Sequence, residues 1–137
     1  MNRLQFEWAV ERTVAGLPSI FRSRIDNVVF QVEEWPDRDT LEEVGISDWR
    51  DLLGFYRGCP LPERMHDFAG QLPDVIIIYR AAILNHVAET GEPLRRVLRE
   101  TILHELAHYF GFSEDQMDEV EAHWERHHRH QGENEIP

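Results

Sequence analysis

Thr101-Ile102-Leu103-His104-Glu105-Leu106-Ala107-His108-Tyr109-Phe110-Gly111 is the stretch on which the reading of this chain turns. It spells H-E-x-x-H inside an apolar run and closes on a glycine. Residues four apart on an α-helix share a face, about 5–6 Å from one another, so the imidazoles of His104 and His108 can converge on one ion. Glu105 comes one residue after the first of them, about 100° further round the helix, which sets its carboxylate beside that ion as a base for a water. Both variable positions are uncharged, and Gly111 suits the left-handed residue that ends a helix and redirects the chain toward a further ligand. This is the arrangement of a zinc hydrolase.

The preceding residues extend the same helix. With Leu94 as origin, Val97, Leu98, Thr101, Glu105 and His108 fall within about 60° of it and His104 about 80° away, so the metal-site residues are expected to continue the inward-facing stripe. Arg95, Arg96, Arg99 and Glu100 make the outer side polar early; Ile102, Leu103, Leu106 and Phe110 make it apolar late. The second half is therefore expected to enter a core. A glutamate and two histidines there are costly to bury unless partnered, and a metal with its water would satisfy all three.

Other segments come in a recognisable order: Leu53-Gly54-Phe55-Tyr56-Arg57-Gly58, the turn Leu72-Pro73-Asp74, and the run Val75–Tyr79. Together with the helix motif they make the chain resemble, over nearly its whole length, the small bacterial zincin-like metallopeptidases, or mini-zincins, with signature H-E-x-x-H-x-x-G-x-x-D. The resemblance implies a minimal zincin-like α+β domain, with a small mixed sheet packed on an N-terminal helix and a central HExxH helix, followed by a C-terminal helix. It also implies a Zn2+ cofactor, a metallopeptidase-like activity and a peptide or protein substrate. One position departs: three residues after Gly111 the signature has aspartate, and this chain has Glu114, then Asp115. Glu114 is ranked first as third ligand and Asp115 second. The alternative from another class is a catalytically silent metal-binding or protein-interaction module.

Composition narrows the setting. At 137 residues the chain has the length of one domain, taken here as residues 1–130 with a flexible tail at 131–137. A formal net charge of −12 argues against nucleic-acid binding, which needs a basic surface. One cysteine, Cys59, forms no intrachain disulfide, and the first residues lack the apolar core of a signal peptide, so a cytoplasmic setting is expected. The run Val75–Tyr79 is far short of the ~20 residues of a membrane helix. Oligomeric state is left open, a homodimer included.

Along the chain, Phe6, Ala9, Val10, Thr13 and Leu17 predict an amphipathic helix over 3–16, stopped by Gly16 and Pro18. Asn27 to Val32 reads as a strand. Residues 37–52 read as acidic and irregular, with Thr40-Leu41-Glu42-Glu43 in capping-box form opening a short helix before Gly45. Residues 53–58 read as a short strand, either an edge that lines the cleft or an interior strand with nothing to donate. Asp74–Tyr79 reads as a strand buried on both faces, and 81–88 as a helix or turn. The motif helix is expected to start with Pro93 in its first turn, and Ser113 with Gln116 to cap the final helix. Tyr56, Tyr79 and Tyr109 are candidates to stabilise an oxyanion, and His66 a candidate extra ligand. His123 and His127 form a second i, i+4 pair, most simply a solvated helix end.

Overall fold

Three consecutive isoleucines, Ile76-Ile77-Ile78, need cover on both faces of a strand, and the rest of the fold supplies it. The computed structural model describes residues 1–58, 73–113, 115–120, 122 and 126. Its elements run α1 (Arg3–Ala15), α2 (Ser19–Arg22), β1 (Val28–Glu33), α3 (Arg38–Val44), a 3-10 turn (Trp49–Asp51), β2 (Gly54–Arg57), β3 (Asp74–Tyr79), α4 (Arg80–Thr90) and α5 (Leu94–Phe110). The sheet order is β1-β3-β2, with β1 parallel and β2 antiparallel to β3. This is the mixed α+β architecture expected.

β3 is central. Ile76 and Ile78 enter the main core with Phe6 and Val10 of α1, Val32 of β1, Ile83 of α4, and Val97, Leu98, Ile102, Leu103 and Leu106 of α5. Ile77 and Tyr79 point the other way and pack with Ala82 against Leu52, Leu53 and Phe55. The two-residue period of a strand makes this split, which explains why alternation is invisible in the sequence here. Fully burying an isoleucine contributes about 1.5–3 kcal/mol, so this triplet anchors the sheet.

Caps confirm much of the local reading. Asn2 and Gln5 form a reciprocal capping box at the start of α1, and Gly91 and Gly111, both at φ 75°, end α4 and α5. Residues 37–52 are more regular than expected. α3 begins at Arg38 because the Asp37 carboxylate accepts the Thr40 N–H at 2.7 Å; Thr40 is the third helical residue, buried, and not the cap. Pro93 likewise stands just outside α5 with extended ψ 137°, one position earlier than expected. Among the described residues β2 pairs with β3 alone and stands at the edge of the sheet.

The residue range 59–72 lies outside the described residues and holds Cys59 and His66; Glu114, His123, His127 and the tail 131–137 lie outside them too. No helix of the described residues is long and apolar enough to cross a membrane.

Candidate metal centre

α5 carries the motif, and three neighbours hold it. Its buried side packs on α1, α4 and the sheet. Near its end the Tyr109 hydroxyl accepts the Asp26 N–H and donates to the Asp26 carbonyl, both at 3.0 Å, tying the helix to the loop before β1. Gly54 lets β2 come close: a Cβ there would meet Thr101 Cγ2 at 2.9 Å, the Ile77 carbonyl oxygen at 3.2 Å and Glu105 Cγ at 3.3 Å. The edge strand and the motif helix are thus in contact at the glutamate.

The ligand-capable atoms of His104, Glu105 and His108 all lie within 4.8 Å of one another. The two imidazoles stand at 5.1 Å between centroids, nearly edge to face. Glu105 is buried, while both histidines are exposed. This corrects the expectation that all three continue the inward stripe. Ile102 and Leu106, each two residues before a histidine, point about 160° away from it, and these larger apolar groups take the core side. The imidazoles keep the one arc of the helix that faces out at the edge of β2.

Glu105 is the unusual group. No hydrogen bond or ion pair from a described residue reaches its carboxylate, and burial pushes its carboxyl up to about 7. Burial also lowers His104, and the neighbouring charge of His108 lowers it further. A cavity of about 350 Å³ opens beside them, walled by Leu52, Leu53, Gly54, Val97 and Thr101. A buried carboxylate, unpartnered among the described residues, next to two solvent-facing imidazoles is a donor set that suits a divalent ion and its water.

A family model described as Zincin-like metallopeptidase matches residues 25–124. The chain belongs to that family. No curated protein matches it. In this zincin-like chain the match runs from just before β1 through the stretch after Gly111, whereas α1, which backs the motif helix through Phe6 and Val10, lies outside it.

Gly111 does redirect the chain. Its N–H donates to the His108 carbonyl at 3.1 Å and the Phe112 N–H to the Ala107 carbonyl at 2.9 Å, the two bonds of a Schellman ending. Ser113 and Gln116 then form the expected capping box, with Ser113 N–H to Gln116 Oε1 at 2.8 Å and Gln116 N–H to Ser113 Oγ at 3.2 Å. The backbone is helical at 115–120. Asp115 is exposed there and is not one of the three clustered residues. Glu114 precedes it, outside the described residues.

The tyrosines are placed elsewhere. Tyr56 donates to Asp74 Oδ2 at 2.7 Å, Tyr79 is buried against Thr40, and Tyr109 is bound to Asp26. None of them lines the cavity. His86 of α4 does line it, and its Nε2 lies 2.9 Å from Glu92 Oε2. Sequence reasoning passed over His86 because no motif surrounds it; only the packing of α4 on α5 brings it to the site.

The raised carboxyl makes a prediction for the metal-free protein. Between the unfolded value of 4.5 and about 7, the folded state keeps a proton that the unfolded chain has lost. Glu105 therefore lowers stability as pH rises through that window, by up to about 3 kcal/mol. The depressed His104 acts oppositely, its contribution being lost as pH falls. Comparison with Glu105→Gln cancels the histidine part: the stability advantage of the variant should grow from pH 5 to pH 8. Urea titrations in chelator would read it, and a difference independent of pH would refute the burial argument.

Proposed function

We propose that this zincin-like chain is a zinc-dependent hydrolase, peptidase-like in its chemistry, with Glu105 as general base. The observation that carries this reading is the buried Glu105 carboxylate, unpartnered among the described residues, clustered with the imidazoles of His104 and His108, where Glu105 and His104 line one cavity. His104 and His108 would hold the ion with a carboxylate from Glu114, or else Asp115. When bound, zinc supplies a Lewis acid for the scissile carbonyl and lowers the pKa of a coordinated water towards 7.

The chain's own groups do the rest. Glu105, set beside the two imidazoles, would take a proton from the attacking water and pass it to the leaving amine. Leu52, Leu53 and Val97 give the cavity an apolar patch that can accept an apolar side chain. Among the described residues the outer edge of β2 is unpaired, next to the site, where an extended peptide can add as a strand. The substrate is therefore a peptide or protein segment bound in extended form. A cytoplasmic setting suits the single cysteine.

A structural zinc would have four protein ligands and no use for Glu105. Elemental analysis of protein purified without a metal-affinity tag should find one zinc per chain, absent in His104→Ala and in His108→Ala. Removing it with chelator should leave a cooperatively folded apo-protein, since α1, the sheet and α4 hold α5 independently of any ion. No stoichiometric metal, or unfolding on chelation, would sink the catalytic reading.

A further inference from the structure

We propose that His86, oriented by Glu92, is the group that donates a hydrogen bond to the substrate's carbonyl oxygen as it gains negative charge; this rests on the hydrolase reading above. Acyl transfer of this kind needs a donor aimed at the developing oxyanion, supplied by the site in advance. The three tyrosines bind Asp74, Thr40 and Asp26 instead. Among the described residues that line the cavity, His86 and Thr101 are the side chains outside the His-Glu-His group that can donate. Thr101 is buried against Gly54, in the contact between α5 and β2. His86 comes from α4 and faces the cavity from a second helix, so that a substrate between them meets Glu105 from one and His86 from the other.

The ring is also held. Nε2 lies 2.9 Å from Glu92 Oε2, and Glu92 comes directly after Gly91, whose left-handed φ of 75° folds the chain back past the end of α4. That bond occupies Nε2 and leaves Nδ1 as the ring's other hydrogen-bonding atom. In its doubly protonated form the ring donates from both nitrogens, to Glu92 and to the substrate oxygen. Glu92 does not line the cavity and acts only through His86, as a positioning residue.

The test uses the zinc-loaded full chain and two probes. A phosphinic dipeptide presents the tetrahedral anion; acetohydroxamate binds the metal without reaching across the cavity. His86→Ala should weaken the phosphinic dipeptide by about ten- to a hundredfold, with zinc and acetohydroxamate affinities unchanged. His86→Gln, which keeps a donor, should recover part of the loss, and Glu92→Gln should show a smaller loss of the same selectivity. Equal dipeptide affinity in wild type and His86→Ala would overturn the role of His86 and leave the hydrolase standing. Parallel loss of both probes and of zinc would show a structural role and overturn it too. If zinc-loaded wild type binds acetohydroxamate but not the phosphinic dipeptide, the hydrolase reading fails and takes this inference with it.

Discussion

Glu105→Gln should bind zinc with the stoichiometry of the native chain and lose turnover of a peptide substrate by about 10²–10⁴-fold. The amide keeps the size of the side chain and its place between α5 and β2, but it cannot accept a proton. The variant should also be more stable than the parent in its metal-free form at neutral pH, because the buried group no longer charges. Loss of activity and gain of stability therefore appear together, which separates removal of a base from damage to the fold. Parallel measurement of zinc content, peptide cleavage and denaturant midpoint checks it. A variant that cleaves at the native rate would show that the proton goes elsewhere.

Gly54→Ala should have the second large effect, although glycine here has no special backbone angle to protect. The added methyl would lie 2.9 Å from Thr101 Cγ2, 3.2 Å from the Ile77 carbonyl oxygen and 3.3 Å from Glu105 Cγ, closer than such contacts tolerate. The carbonyl is fixed in the ladder with β2, so the helix side must give. A destabilisation of about 1–3 kcal/mol is expected from overpacking of this kind. Displacing the glutamate by even an ångström should lower turnover by about a hundredfold. Thr101→Ser removes the methyl that meets the new Cβ first, so the double variant should regain part of both losses. A double-mutant cycle on stability and turnover measures the coupling, and strict additivity would show that the close approach of β2 and α5 is not what matters at Gly54.

The sequence was sufficient wherever a local rule operates within a few residues. H-E-x-x-H places two imidazoles one turn apart on any α-helix, Gly111 accepts the left-handed conformation that ends it, and Ser113 with Gln116 caps the next helical segment. Ile76-Ile77-Ile78 likewise announces a strand covered on both sides. Local rules went astray where two of them competed. Thr40 and Asp37 both resemble caps, and Asp37 wins because, in extended conformation, its carboxylate accepts the Thr40 N–H. On the motif helix the wheel assigned the histidines to the inner side, but Ile102 and Leu106 were larger claimants for the core.

The chain by itself therefore determined the set of groups able to act: two imidazoles, a carboxylate between them, and a helix to carry all three. Only tertiary packing decided the environment that gives those groups their properties. Glu105 is raised to about 7 because it is buried, with β2 brought against it through Gly54; the histidines face out because among the described residues nothing packs over that side of the helix; and His86 arrives from another helix altogether. Periodicity along one helix reports angles about its own axis, whereas burial is set by what other elements bring against it. A one-dimensional pattern contains the first and not the second.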